Sequence, residues 1–272
     1  NGPYFSSTPK VYVLSEHTAS ATEPYVPSSA FSGKLAGIAY IGSAFSDDGR
    51  GVADAALMRE AMVRAKALGK IIAAHCEDLT YAPADPRSEW SEVERDILLA
   101  KDTGCALHVC HVSSAVSLEL IRQAKRDGID VTCETGPHYL LLDDSMREDH
   151  GRWKMNPPLR SPADREALVA ALLDGTVDMI ATDHAPHSAE EKSKGFAGSL
   201  NGIVGLECAF PTLYTGLVKT GIIPLEKLIA LMADNPRKRF SLGSADVTEE
   251  EYTVWDLSDQ YRIDPETFRT MG

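Results

Sequence analysis

The sequence predicts an α/β fold arranged as a TIM-type β/α barrel. Apolar strand-like runs alternate with amphipathic helices, and this strand–helix unit recurs at intervals of about 25 to 50 residues. Polar side chains collect where the apolar runs end, which is where such barrels carry their chemistry. The length of 272 residues and the 43% hydrophobic content allow one barrel or two smaller domains, and the alternation favours the barrel.

The composition limits the kinds of molecule that this protein is expected to bind. The formal net charge of -13 argues against nucleic acid or an anionic membrane surface, but it still allows a small anionic substrate, because local groups set the field inside a pocket. The five cysteines are odd in number and scattered, which predicts free thiols in a reducing cytoplasm. Apolar runs stay shorter than the roughly 18 residues of a membrane span, and the first residues lack a signal pattern. We therefore expect a soluble cytoplasmic protein.

Three regions are expected along the chain. Residues 1–44 contain one strand-like run, at 10–14, and are assigned to remnants of a small β domain and the first barrel strands. Residues 45–243 form the predicted barrel, which carries the catalytic groups. Residues 244–272 are acidic and irregular and are expected to be an appended C-terminal segment.

The predicted elements follow from apolar spacing and from residues that start or stop helices. Gly69 and Gly128 are placed to end helices, whereas Ser161 and Pro162 are typical of a helix start. The predicted strands are 71–74, 105–111, 129–134 and 177–182. The predicted helices are 54–68, 89–102, 115–126, 161–173, 206–218 and 225–233.

Four candidate metal ligands stand where apolar runs end: Asp48, His75, His111 and Asp183. In a parallel barrel these strand ends meet at one rim, so the four side chains are expected to converge. The opposing interpretation is that they cap loops, and that Asp47 and Asp48 cap the following helix. Imidazole and carboxylate groups together suit zinc and similar metals, and paired cysteine spacing is lacking.

The remaining histidines have other predicted roles. His108 lies at odd spacing from His111, so a strand would turn it to the other face, as a core or supporting group. His184 should point away from Asp183, which makes His187 the better candidate to face the cavity. Because the sequence contains neither a nucleophilic serine turn nor a Walker-type phosphate loop, metal-assisted hydrolysis is favoured.

Five motifs, in order between Ser43 and Leu242, resemble bacterial dihydroorotases of the type I class. They are Phe45–Gly49, Ala74–Asp78, His108–Ser113, Lys154–Arg160 and Ala181–His187. That family belongs to the amidohydrolase superfamily, whose members are metal-dependent (β/α)8 barrels. The resemblance implies that Asp48 bridges two zinc ions, that His75 and His111 hold one zinc, and that Asp183 binds the other and serves as the acid/base.

The same resemblance implies a substrate and a reaction. Asn156 and His187 would contact the substrate, together with backbone amides at Asn201 and Gly202. The reaction would be the reversible conversion of L-dihydroorotate and N-carbamoyl-L-aspartate in pyrimidine (UMP) biosynthesis, catalysed by a homodimer. Asp183 would take a proton from the attacking water and return it to the leaving nitrogen.

The sequence also departs from the family pattern. Members carry a His-x-His motif followed by an Arg on the first barrel strand, and residues 1–47, with His17 as their single imidazole, do not match it. Two zinc ions per chain are expected only if that half-site exists. We favour the interpretation that segments of the natural protein are absent from this sequence, because a barrel does not readily lose its first strands.

Two alternative functions stay open at this point. One is a catalytically inactive dihydroorotase-like scaffold that binds another enzyme of the pathway. The other is a related ring amidase, a hydantoinase or allantoinase. The aspartate pair at 47–48, where those enzymes use a modified lysine, and the run Lys154–Arg160 both count against the ring amidase.

Overall fold

The computed structural model of the protein describes residues 39–40, 43–47, 49, 51–242, 254–264 and 267–268. Several predictions therefore lie outside the described residues. They concern the run at 10–14, His17, Asp48 and most of the segment 244–272.

The described sheet has six strands in sequential order, and five of them are parallel. β1 pairs with β2 in antiparallel fashion, and each later strand pairs in parallel with the strand that precedes it in the chain. Their bounds are β1 Ala39–Tyr40, β2 Ala44–Ser46, β3 Ile71–Ala74, β4 Leu107–Val109, β5 Val131–Thr135 and β6 Met179–Ile180. Successive parallel strands joined through helices are the winding of a β/α barrel, so the predicted fold class is confirmed.

The helices predicted at 54–68, 89–102, 115–126 and 161–173 are confirmed to within two residues at each end, and the described part of the chain adds four short α-helices that the sequence did not predict. Those between the parallel strands are α1 Ala55–Ala67, α2 Arg87–Thr103, α3 Ala115–Arg126, α4 Pro137–Leu141 and α5 Pro162–Asp174. Those after β6 are α6 Ala189–Lys192, α7 Gly195–Gly198, α8 Ala209–Leu213, α9 Leu225–Ile229 and α10 Asn235–Arg239. None of the described helices combines the length and apolar composition needed to cross a bilayer.

Helix ends follow local chemistry that the sequence encodes. Asp54 caps α1, since its carboxylate accepts the N–H groups of Ala56 and Leu57. Ser161 forms a capping box with Asp164 at the start of α5. After the helices, glycines such as Gly104 take a left-handed conformation, here with φ of 65°.

Several predicted elements differ from the observed ones. The strand expected at 177–182 is limited to β6, and the helix expected at 225–233 is α9 followed by a π-helical turn, Ala230–Asp234. The helix expected at 206–218 is α8 followed by a π-helical turn, Tyr214–Val218. The strand expected at 105–111 is limited to β4, because only Leu107–Val109 pair with both β3 and β5. After β4 the chain turns at His111, whose φ is 36°, between backbone hydrogen bonds from the Cys110 N–H to Ala74 and from the Val112 N–H to Glu134.

The sheet has an outer and an inner face. Ile72, Leu107 and Val131 belong to the large core between the strands and the helices. A smaller inner cluster lies on the opposite face and consists of Ala44, Ala73, Cys110, Met179 and Phe240. Side chains alternate along a strand, so the residues two positions beyond the inner row also face inward. On the inner face, polar side chains therefore follow the apolar ones toward the carboxyl ends of the strands.

Candidate active site

Three predicted metal ligands lie beyond the carboxyl ends of β3, β4 and β6. We call His75, His111 and Asp183 the strand-end cluster. The rings of His75 and His111 lie with centroids 5.1 Å apart, and the Asp183 carboxylate is near enough to raise the pKa of His75. The structure therefore places the two imidazoles next to each other and Asp183 within electrostatic range of His75, but the ligand atoms of the three do not all lie within 4.8 Å of one another.

His111 and Asp183 both have an unusual backbone conformation. Their φ angles are 36° and 49°, in the left-handed region that residues with a side chain seldom adopt. Such conformations cost free energy and concentrate at functional sites. Here each follows a short strand and turns the chain as the strand ends. These two backbone conformations therefore determine the directions of the His111 and Asp183 side chains.

Asp47 supports His75 from a buried position. Its Oδ2 accepts the backbone N–H of His75 at 2.8 Å, and its Oδ1 lies 2.5 Å from Nδ1 of the ring. The Gly49 backbone nitrogen also lies 3.2 Å from Nδ1. A ring nitrogen cannot both donate and accept, so only one of these two contacts is a hydrogen bond. The contact with Asp47 is shorter and charge-assisted, and we therefore assign Nδ1–H as a donor to Asp47. The Nε2 atom is then the acceptor. The interpretation of Asp47 as a helix cap is wrong, because Asp54 caps α1.

The electrostatic field at His75 is negative. Burial acts to lower the pKa of this imidazole, but the hydrogen bond and charge of Asp47, with the charges of Glu134 and Asp183, outweigh burial and raise it. Several carboxylates therefore face a pair of imidazoles. This set of nitrogen and oxygen donors in a negative field fits a divalent metal such as zinc.

A further polar group lies on the inner face beneath the cluster. His108 donates from Nε2 to Glu134 over 3.2 Å, and its Nδ1 lies 2.9 Å from the Thr132 hydroxyl. Cys110 is close enough that these three, His108, Cys110 and Glu134, offer ligand atoms within 4.8 Å of one another. Burial acts to raise the pKa of Glu134, but His108 and the neighbouring histidines lower it.

His108 differs from its predicted orientation, and Glu134 was not predicted as a site residue. His108 is buried, as expected, but it faces inward and not away from the site. The predicted orientation assumed that His108 and His111 alternate along one strand. It was wrong because His111 lies beyond the end of β4, where a φ of 36° breaks the alternation. Glu134 had no predicted role. Its alternation with Val131 and Cys133, which face outward, was the available signal.

A small cavity adjoins the strand-end cluster. Its lining includes His75, His111 and the predicted substrate residue Asn156, together with Gly49, Cys76, Glu77, Ser88, Glu89, Pro157 and Arg160. Arg160 is buried and donates to the Ser113 hydroxyl at 3.1 Å and to the Pro83 carbonyl at 3.0 Å. These bonds hold the 156–160 run against the cavity.

The other predicted substrate residues meet in a second place, the 199–203 loop. His187 donates from Nε2 to the Asn201 carbonyl at 2.7 Å, and the Gly202 N–H donates to the Lys154 carbonyl at 3.0 Å. The Gly202 N–H is thus engaged within the protein. His184 accepts the N–H of Gly205 at 3.1 Å, so it fastens the loop and does not join the strand-end cluster.

Buried Lys192 was missed by the sequence-based analysis. Its ammonium donates to the carbonyls of Lys154, Leu200 and Gly202. Burial, with Lys154 nearby, lowers the pKa of Lys192 to about 8. A Lys at the end of a short polar helix gives no sequence signal of burial, because charged residues at helix ends are usually exposed.

Sequence comparison finds relatives over most of the chain. The chain is 48% identical over 254 residues to a dihydroorotase from Brevibacillus brevis, and 45% identical over 250 residues to one from Fusobacterium nucleatum. Each match covers 84% of this chain and 59% of the relative, so the chain spans somewhat more than half the length of the relatives it matches. No protein-family model matches the chain.

Solved structures give the same architecture. The L-hydantoinase (dihydropyrimidinase) from Arthrobacter aurescens matches with a TM-score of 0.71 at 29% identity, over 80% of this chain and 55% of that one. The dihydropyrimidinase from Brevibacillus agri matches with a TM-score of 0.63 at 25% identity, over 70% and 47%. These neighbours are TIM-barrel amidohydrolases. By its sequence and its barrel fold, the chain belongs to the dihydroorotase family of the amidohydrolase superfamily.

Proposed function

We propose that this chain carries the catalytic residues of a zinc-dependent dihydroorotase, which interconverts L-dihydroorotate and N-carbamoyl-L-aspartate. The observation that carries the proposal is that His75, His111 and Asp183 share one rim of the sheet, where the two histidine rings are neighbours and line a cavity with Asn156. The identity of 45–48% to proteins named dihydroorotase supports the same reaction.

His75 and His111 would hold zinc through imidazole nitrogen, and Asp183 would add a carboxylate. The contact from Asp47 to Nδ1 of His75 supports this, because a ligating histidine usually donates its other N–H to a carboxylate. Asp48 is proposed as the bridging carboxylate. When bound, zinc polarises a carbonyl and lowers the pKa of water. A second zinc would also need the His-x-His motif, which residues 1–47 do not contain.

Asp183 is the proposed proton carrier. As water adds to the ring amide carbon, the Asp183 carboxylate accepts a proton from that water. The carbon–nitrogen bond of the ring then breaks, and Asp183 returns the proton to the leaving nitrogen. One water is consumed: one of its protons reaches the leaving nitrogen through Asp183, and the carboxylic acid formed at the attacked carbon releases the other to solvent and becomes a carboxylate. Asp183 ends in its starting state. The reverse sequence closes the ring of N-carbamoyl-L-aspartate.

Substrate binding is proposed for Asn156, for His187 and for the Asn201 N–H. The Gly202 N–H, which the sequence also suggested, is left out because it donates to the Lys154 carbonyl. Asn156 lies in the cavity beside the two histidines, where its amide can donate to an anionic substrate. His187 and Asn201 are joined by a hydrogen bond, so they would act as one unit. The net charge of the chain does not oppose an anionic substrate, because these local donors determine the field.

A related ring amidase is the second candidate, since the solved structures that match are named hydantoinases. Their identity to this chain is 25–29%, against 45–48% for the dihydroorotases, which favours dihydroorotate as the substrate. A catalytically inactive scaffold would keep the fold without turnover.

The test uses the full-length natural protein purified with zinc. We expect turnover of L-dihydroorotate to exceed that of hydantoin by a large factor, and zinc to copurify with the protein. Faster hydantoin hydrolysis would support the ring amidase. Intact protein with neither zinc nor turnover would leave only the scaffold.

Assembly, compartment and domain limits are also proposed. We propose a homodimer in the cytoplasm, and the five free cysteines, four of them buried, support a reducing compartment. We further propose that residues 45–243 form the catalytic unit, with residues 1–44 and 244–272 as separate segments. Sedimentation of the full-length protein tests the dimer.

A further inference from the structure

Lys192 is a buried cation bound only by backbone carbonyls among the described residues. Its exposed fraction is 0%, and none of the described carboxylates forms an ion pair with it. Buried charges normally pair with an opposite charge, because removing an ion from water is costly. Here the three ammonium protons are matched by the carbonyls of Gly202 at 2.8 Å, Lys154 at 3.0 Å and Leu200 at 3.1 Å. An arrangement this costly calls for a role beyond filling space.

The three carbonyls come from two separate segments. Leu200 and Gly202 belong to the 199–203 loop, whereas Lys154 lies two residues before Asn156 and 38 positions from Lys192. The Lys154 carbonyl accepts from both the Lys192 ammonium and the Gly202 N–H. One side chain therefore joins the loop to the segment that leads to Asn156.

The same contacts fix the direction of a peptide group. His187 holds the Asn201 carbonyl, so the carbonyls of residues 200, 201 and 202 are all bound within the protein. A peptide group is planar and trans, so the Asn201 N–H points opposite to the Leu200 carbonyl, away from the Lys192 ammonium. The lysine thereby sets the orientation of this N–H.

We propose that Lys192 is a positioning residue, whose contacts to the carbonyls of Lys154, Leu200 and Gly202 hold Asn156 and the Asn201 N–H as donors for an anionic substrate. The holding of the loop follows from the geometry alone, and the identity of the substrate rests on the proposed function. Lys192 acts on binding and not on the bond-breaking step, because its ammonium is fully engaged with the protein.

The test compares Lys192→Met, which removes the three bonds at similar volume, with Lys194→Met, an exposed lysine two positions along. In full-length zinc-loaded protein, we expect K192M to raise KM for L-dihydroorotate by about 10-fold to 100-fold while kcat changes less than about threefold. K194M should leave both unchanged. Lys192→Gln keeps two donors, folds more readily and should give an intermediate KM.

A second readout does not depend on activity. Amide hydrogen exchange of Gly202, whose N–H is bonded to Lys154, should be about 10-fold faster in K192M or K192Q and unchanged in K194M. Unchanged exchange would overturn the holding role, and faster exchange with a normal KM would overturn the substrate role. If the unsubstituted protein does not turn over dihydroorotate, the proposed function fails, and the exchange measurement alone decides whether Lys192 holds the loop.

Discussion

The strand-end cluster and the 199–203 loop are the two halves of the proposed site, and they are built differently. His75, His111 and Asp183 follow directly from β3, β4 and β6, so the sheet places them. Among the described residues, the loop takes part in no strand, and its β-type pairing is limited to an isolated bridge between His184 and Ile203. It is held by side chains that donate to its carbonyls and by a few backbone hydrogen bonds, such as those from the Gly202 N–H to Lys154 and from the Ala185 N–H to Ile203.

This difference matters for how each half responds to substitution. A strand end is fixed by many backbone hydrogen bonds, so removing one ligand there should change chemistry and leave the fold intact. A loop held by a few side-chain donors should change shape when one donor is lost. The following predictions test this contrast, beginning with the largest effect.

Asp183→Asn should lower kcat for L-dihydroorotate by about 100-fold to 10,000-fold, because the amide cannot carry the proton. The backbone at residue 183 should tolerate the change, since Asn also accepts a left-handed conformation. Steady-state kinetics and circular dichroism are the measurements. The exposed Asp144→Asn serves as the control. Activity retained by D183N would exclude Asp183 as the proton carrier.

Asp47→Asn should weaken zinc binding by about 10-fold to 100-fold, because the carboxylate that orients the His75 ring becomes a neutral amide. Chelator competition measures the affinity. The matched control is Asp54→Asn, which keeps a good helix cap and lies outside the site. Equal zinc affinity in the two variants would remove Asp47 from the metal half of the site.

Gly202→Ala should distort the loop without affecting the strand-end cluster. An added Cβ would lie 2.3 Å from the Ala185 carbonyl, and the φ of 152° disfavours any side chain. We expect a loss of about 1–3 kcal/mol in unfolding free energy and a raised KM, with zinc affinity unchanged. Gly128→Ala, strained in φ but with open space around it, separates backbone strain from collision. Zinc loss in G202A would show that the halves are not independent.

The last prediction concerns two buried acids of α2, Glu92 and Asp96. Burial raises the pKa of Glu92 to about 7 and that of Asp96 to about 6, despite Arg95. The folded state then binds more protons than the unfolded state between about pH 4 and 7, so these groups make stability fall as pH rises through that range.

Chemical denaturation at pH 5 and pH 8 measures this effect. We expect the unsubstituted protein to lose about 2–4 kcal/mol more unfolding free energy between these two pH values than the variant carrying Glu92→Gln and Asp96→Asn. A steeper loss in that variant would mean that the two carboxyls favour the charged form when folded.

Parts of the site were predictable because they depend on local sequence. The apolar run before His75 and the polar end after it mark a strand end in any parallel barrel. Asp54 and Ser161 cap helices through bonds to residues two or three positions away, which a single sequence encodes. The inward direction of His108 was not predictable, because it depends on where β4 stops pairing.

By itself, the sequence determined the order of strands and helices, the positions of the strand-end histidines and Asp183, and membership of an amidohydrolase family. Only the tertiary structure decided that Asp47 contacts His75, that Glu134 faces the histidines, and that Lys192 is buried. The physical reason is the range of the interactions. Helix caps and strand alternation act over a few residues, whereas Asp47 and His75 are 28 positions apart and Lys192 reaches Lys154 over 38.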